Sequence, residues 1–183
     1  PYNGLVISGA RMLTHSTKRD SQRTIRWQEV DHSCRYPKTL PYLHANKNVV
    51  EYNEIHHCME RLGDGNGIYI SGAGVGNVIR RNYVHHILGP HTAAAIRTDG
   101  CQTGTTMTEN IVTLSANAGF IVKYDNDCTN NIIVDIQDVT TSYVRKAARG
   151  YVAVSGKREM TPKDAKLQRN IFYQSRGTTP FYQ

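Results

Sequence analysis

The sequence predicts an all-β fold, a right-handed parallel β-helix, and three observations predict it. One phrase occurs twice: VVEYNEIHH (Val49 to His57) returns as VIRRNYVHH (Val78 to His86). Asn53, Asn82, Asn110, Asn131 and Asn170 recur inside similar apolar phrases, at intervals of 29, 28, 21 and 39 residues. Short, glycine-bounded β-type segments stand between these phrases, and a helical period is absent almost everywhere. A phrase that returns after ~30 residues without helical period is the signature of a solenoid. A sandwich of short strands is the alternative, but it does not explain why the same letters return.

Two kinds of segment alternate. The first is GLVISG at Gly4, GIYISG at Gly67, AIRTDG at Ala95, GFIVKY at Gly119 and GYVAVSG at Gly150. The second is TIRWQEVDH at Thr24, VVEYNEIHH at Val49, VIRRNYVHH at Val78, TMTENIVTL at Thr106, DCTNNIIVD at Asp127 and KLQRNIFYQ at Lys166. The second obeys a tight rule: apolar, two residues, Asn or Gln, one residue, apolar, as in Val50/Asn53/Ile55 and Ile79/Asn82/Val84. Stacked ~4.8 Å apart, the Asn side chains bond along the axis as an amide ladder. The Ile and Val columns face inward. A first-type strand for the coil of Val49 is expected at PYLHAN (Pro41 to Asn46), and one helical turn at Thr161 to Leu167. The count comes to about five to six coils in a single domain, 1–183. The chain opens inside a strand-like phrase and closes on TTPFYQ without an evident polar cap. Since solenoid ends need caps, it reads as a piece of a longer protein, open at both ends.

Lys and Arg number 22 against 15 Asp and Glu, a net charge of +7 with His neutral. That balance favours an acidic partner without choosing one, and the basic residues are scattered rather than blocked. Nucleic acid has only this charge behind it and is set aside. No run of 18 apolar residues offers a membrane helix. The four Cys show no CxxC spacing, so no zinc site is expected. Cys34 and Cys58 fall one position out of register on adjacent coils, where a disulfide is conceivable, and Cys128 takes a core position. The glycines of SGAGVGN precede no helix, so no dinucleotide site is read there, and no cofactor or metal is expected.

Register turns sequence distance into contact. With Ile68 and Ile70 inward, Tyr69 and Ser71 face out. Two outward columns follow: Val6, Tyr69, Arg97, Ile121, and Ser8, Ser71, Asp99, Lys123. Asp99 then lies beside Lys123, and a nearby cation keeps a carboxylate charged, which suits a nucleophile or base. The plain alternative is a surface salt-bridge ladder. At the other corner His32, His57 and His86 share a column, as do Asp31, His56 and His85. Imidazoles titrate near neutral pH, so this is a candidate ligand-contacting or acid–base cluster; the alternative is a stacked polar turn. The loop leaving the corner carries Asp64, between two glycines, and in the next coil His91.

The run NEIHHCMERLGDGNGIYISGAGVGNVIRRNYVHHI, followed by AAIRTDG and NNIIVDI, resembles right-handed parallel β-helix proteins of bacterial polysaccharide degradation. It is most similar to glycoside hydrolase family 141, which includes α-L-fucosidase and xylanase activities. The resemblance covers roughly residues 48–135 and rests on GD-x-G-x-IY, VIR-x-NY-x-H and AIY-x-D phrases, the last reading AIRTD here. It implies a secreted or cell-surface hydrolase acting on a plant or algal polysaccharide. Its two catalytic Asp residues would fall on Asp64 and Asp99. Asp99 would be nucleophile or base and Asp64 the acid, with His56, His57, His85, His86, His91, Tyr69, Arg97 and Lys123 lining the sugar groove. Asp64 precedes its strand while Asp99 ends the next one. Bringing them together requires the GDGNG loop to fold back, which the glycines beside Asp64 permit. Two other readings use the same scaffold. A polysaccharide lyase would neutralise a uronate with Lys123 and Arg97. A non-catalytic glycan-binding or structural solenoid would bind without turnover, with end-to-end self-association through its open edges.

Overall fold

The computed structural model describes residues 2–9, 41, 43–89, 93–100, 102–123, 125–137, 150–154 and 165–176. Among the described residues, fifteen strands lie in three parallel sheets of five. The first sheet holds β1 (Leu5–Ser8), β4 (Asn66–Ser71), β7 (Ala94–Asp99), β10 (Ala118–Val122) and β13 (Gly150–Val154). The second holds β2 (Val49–Glu51), β5 (Val78–Arg80), β8 (Thr106–Thr108), β11 (Asp127–Thr129) and β14 (Lys166–Gln168). The third holds β3 (Glu54–His56), β6 (Tyr83–His85), β9 (Ile111–Thr113), β12 (Ile132–Val134) and β15 (Ile171–Tyr173). The chain visits first, second and third sheets in turn and then repeats, which makes a parallel β-solenoid.

The stacking follows the repeated letters. Val49, Val50 and Glu51 pair with Val78, Ile79 and Arg80, and Glu54, Ile55 and His56 with Tyr83, Val84 and His85. Ile79, Met107 and Cys128 of the second sheet meet Val84, Val112 and Ile133 of the third and Ile68, Ile96 and Phe120 of the first in one core. All nine are fully buried. The glycines opening the first-sheet strands have a packing reason. A Cβ on Gly67 would stand 2.6 Å from Val84 Cγ1 and 2.7 Å from the Ala95 carbonyl, so only Gly lets the first and third sheets close there.

Four expectations need correction. The second-type phrase is two strands rather than one, because the chain turns at the residue before each Asn. Tyr52, Arg81, Glu109, Asn130 and Arg169 all take left-handed φ of 54–57°. The Asn side chain secures each turn. Asn82 Oδ1 accepts from the N–H and Nδ2 of Asn53, and Asn82 Nδ2 donates to the Val50 and Arg80 carbonyls and to Asn110 Oδ1. The same bonds carry the ladder through Asn110 and Asn131 to Asn170.

The expected strand at PYLHAN is not one. Leu43–Asn46 have no strand geometry, and Asn46 closes a turn on the Leu43 carbonyl. β1 pairs directly with β4, Leu5 opposite Ile68, so no layer intervenes. The Thr24 phrase, with Gln28, Asp31 and His32, lies outside the described residues. The expected helical turn also fails where it is described: Lys166 and Leu167 belong to β14, in register with Asp127 and Cys128. Ile121 stands opposite Arg97 as the columns require, yet it is buried in a second apolar cluster with Ala94, Ala118 and Ala153.

Cys58 and Cys128 are buried free thiols, and Cys34 lies outside the described residues. Burial drives the Cys128 thiol far above its ordinary range, against a weaker opposing bond with Asn131. No helix among the described residues is long and apolar enough to cross a membrane.

Candidate functional site

The outer face of the first sheet gathers the charged candidates. Tyr69 pairs with Arg97 and Ser71 with Asp99 across β4 and β7. Alternation sends these side chains outward while Ile68, Ile70, Ile96 and Thr98 enter the core. Lys123 follows β10 one layer on, and its N–H donates to Thr98 Oγ1, which holds it level with Asp99.

Asp99 is the hub. Its Oδ2 accepts from Arg97 Nη2 at 2.6 Å and from the Tyr69 hydroxyl at 3.1 Å, and Lys123 Nζ lies 3.3 Å from Oδ1. Burial alone pushes this carboxyl up. Arg97 and Lys123, with a bond from the Gly100 N–H, outweigh it and hold the group below the usual carboxylate value. Asp99 is therefore an anion at neutral pH, fit to be a nucleophile or base. Burial first, and then the Asp99 charge, push the Tyr69 hydroxyl up, so it stays protonated and donates. The Arg97 guanidinium also lies 5.8 Å from the Tyr69 ring centroid, within cation–π range.

The GDGNG loop does fold back. Asp64 takes a left-handed φ of 62°, a conformation Asp tolerates, and its carbonyl accepts from the Tyr2 hydroxyl at 2.6 Å. Beside it, Gly65 passes so close to Met59 Sδ and the Tyr2 carbonyl that any Cβ would collide with both. This brings Asp64 Oδ1 to 2.8 Å from Arg97 Nη1. One guanidinium thus bridges Asp64 and Asp99. Sharing one guanidinium keeps the two carboxylates close together, as a glycosidase pair, ~5–9.5 Å apart, also requires. The partners differ in exposure: the Asp64 side chain is 66% accessible and that of Asp99 23%. With Lys123 the cluster holds two anions and two cations. Asn66, two residues after Asp64, is fully buried, and neither of its amide atoms has a hydrogen-bond partner among the described residues. Sequence reading gave no warning of it.

The histidines form a separate array at the end of the third sheet. His56 stacks on His85 at 5.0 Å between centroids and His57 on His86 at 5.1 Å. Between sequence neighbours, His56 with His57 and His85 with His86, the two Nδ1 atoms are 2.7 Å apart. His57 and His86 have left-handed φ of 51° and 52°, which turns consecutive imidazoles toward each other at the corner. His85 Nε2 reaches Glu54 Oε1 at 3.1 Å, and the Tyr83 ring stacks on His85 at 4.3 Å. Burial, then the charges of His85, His57 and His56, lower the His86 pKa. His91 lies outside the described residues. No group of three or more His, Cys, Asp or Glu converges on a metal position among the described residues.

Asp64, Tyr69, Arg97, Asp99 and Lys123 are therefore one constellation, and His56, His57, His85 and His86 another. Missed in the sequence were Glu54, Asn66 and a second amide ladder. In that ladder Asn77 Oδ1 accepts from Asn48, and Asn126 Oδ1 from the Thr105 N–H. The signal was present in NVVEYN and NVIRRN, where an Asn opens each phrase as well as turning it. No protein-family model, curated protein or solved structure matches the chain.

Proposed function

We propose that this chain is a carbohydrate-active hydrolase, a stretch of right-handed parallel β-helix that cleaves a plant or algal polysaccharide outside the cell. Each layer contributes one strand to each sheet, giving five layers. Right-handed winding follows the general hand of parallel crossover connections. The resemblance to glycoside hydrolase family 141 suggests the reaction. The observation that carries the reading is the bridge Asp64–Arg97–Asp99, which joins two carboxylates through one guanidinium on a solvent-facing surface. Asp99, held ionised, is the nucleophile or base. Asp64, on the exposed loop, is the acid in this reading, its accessible carboxyl turned to the glycosidic oxygen. Tyr69 and Lys123 contact the sugar beside Asp99. The histidine array at the end of the third sheet is a separate binding element in this reading.

A second reading has one observation in its favour. Arg97 bonds both carboxylates at once, as in a structural ion-pair network on a non-catalytic, glycan-binding solenoid. Reducing-end release from a panel of plant and algal glycans separates the two, with Asp64→Asn and Asp99→Asn beside the parent. The hydrolase reading expects turnover by the parent and a drop of at least ~100-fold in each variant. Binding without turnover supports the second reading. Unsaturated products absorbing in the near ultraviolet would indicate a lyase. Equal turnover in all three proteins would overturn the assignment of the pair.

A further inference from the structure

The histidine corner holds a second piece of chemistry, independent of the hydrolase reading. Hydrogen-bond bookkeeping decides where its protons sit. Ionised Glu54 only accepts, so His85 Nε2, 3.1 Å away, carries a hydrogen. A neutral His85 then has a bare Nδ1. That atom faces His86 Nδ1 at 2.7 Å, and one of the two must donate. The donor is therefore His86 Nδ1–H, and neutral His86 has a bare Nε2. The His56–His57 pair repeats the 2.7 Å contact, but no carboxylate among the described residues bonds either ring, so its tautomers are not fixed in this way.

From this geometry we propose that Glu54, His85 and His86 form a proton relay whose outer end, His86 Nε2, is a proton-accepting site for a hydroxyl-bearing ligand, either a sugar hydroxyl or water. The transfer balances. The ligand O–H proton moves to His86 Nε2, the His86 Nδ1 proton moves to His85 Nδ1, and the positive charge comes to rest on His85 against Glu54. The ligand oxygen gains negative character while it stays hydrogen-bonded at His86 Nε2, and the relay runs back when the ligand departs as the neutral hydroxyl compound. No oxidant or co-reactant is needed. The groups facing the relay are His57 stacked on His86, His56 and Tyr83 on His85, and Thr113, opposite His85 in the next layer. His56 and His57 disfavour added charge. Glu54 is the anion that compensates it, and the depressed His86 pKa agrees with a ring kept neutral until the ligand is present.

Long-range proton–nitrogen NMR of the imidazoles in the full chain tests this, with His→Gln variants supplying assignments. At pH 8 the relay places His85 in the Nε2–H tautomer and His86 in the less common Nδ1–H tautomer. Glu54→Ala removes the anchor, and at least half of the His86 population moves to Nε2–H. A His86 signal already in the Nε2–H form in the parent overturns the proposal without any variant. So does an unchanged His86 tautomer in a folded Glu54→Ala protein. Adding the neutral oligosaccharide cellotetraose distinguishes the donors: a shift of the His86 Nε2 resonance marks a sugar hydroxyl, and a resonance that stays in place marks water.

Discussion

Removing Asn110 tests the stacking most severely, because the side chain is fully buried midway along the ladder. Its Oδ1 accepts from the Asn82 N–H at 3.1 Å and Asn82 Nδ2 at 3.0 Å. Its Nδ2 donates to the Ile79 carbonyl and to Asn131 Oδ1, each at 3.0 Å. Asn110→Ala deletes all four bonds where water cannot replace them. At about 1 kcal/mol net per bond, and up to ~3 for a buried group left unsatisfied, the loss is about 3–5 kcal/mol. Asn53 begins the described ladder and is half-exposed. Its side chain donates to the Glu51 carbonyl and Asn82 Oδ1, and water reaches what truncation uncovers. Asn53→Ala should therefore cost about 1–2 kcal/mol. Asn110→Asp keeps the shape but turns a buried donor into an acceptor facing two acceptors, so its loss should at least equal that of Ala. Urea unfolding followed by circular dichroism measures all three, with midpoints compared at constant slope. A slope that falls in one variant means the layers have uncoupled. Equal losses at Asn53 and Asn110, or a tolerated Asp, would refute the claim that the amide bonds hold the layers together.

Three other outcomes follow. Gly67→Ala places a methyl against Val84 and the Ala95 backbone, and overpacking of this kind costs about 1–3 kcal/mol; an unchanged urea midpoint would contradict the close approach. The folded-state pKa of Asp99 is depressed, so its stabilising contribution is complete above the unfolded value near 3.8 and is lost as pH falls through the folded value. Asp99→Asn should flatten that acid limb of the stability profile, and an unaltered limb would count against the Arg97 and Lys123 contacts. His86 is depressed as well, so stability should decline as pH drops below 6.5, and His86→Asn should remove that decline in thermal melts across pH 5–7.

The parts of the fold legible in the sequence are those that recur as letters. VVEYNEIHH and VIRRNYVHH lie residue on residue, and the Asn anchors form the ladder their spacing required. The turn beside each Asn was hidden because the residues in left-handed conformation, Tyr52, Arg81, Glu109 and Arg169, carry no glycine-like signal. Their strain is offset by the amide bonds that follow, a tertiary effect that local propensity cannot register. The expected PYLHAN strand came from assuming that each similar phrase builds a layer, whereas β1 passes directly to β4. Buried Ile121 could have been anticipated: its partner in the next strand, Ala153, continues the same column with an apolar residue and clusters with it.

The candidate site was legible in composition but not in connectivity. Register alone put Arg97 beside Tyr69 and Asp99 beside Lys123. Gly63 and Gly65 only permitted the loop to return, and what Asp64 met there depended on a three-dimensional path through Tyr2 and Met59. The histidine columns stacked as their register implied, while Glu54 went unnoticed because its partner stands one layer away.

The measurement that bears most directly on the central claim, that Asp99 acts as a catalytic carboxylate and not as one end of an ion pair, is chemical rescue. Asp99→Ala leaves a space beside Tyr69 and Lys123 that a small anion fits. With a glycan hydrolysed by the parent protein, azide should restore turnover to Asp99→Ala and leave a glycosyl azide as product. A folded Asp99→Ala protein as active as the parent, or inactive with no glycosyl azide at any azide concentration, would contradict it.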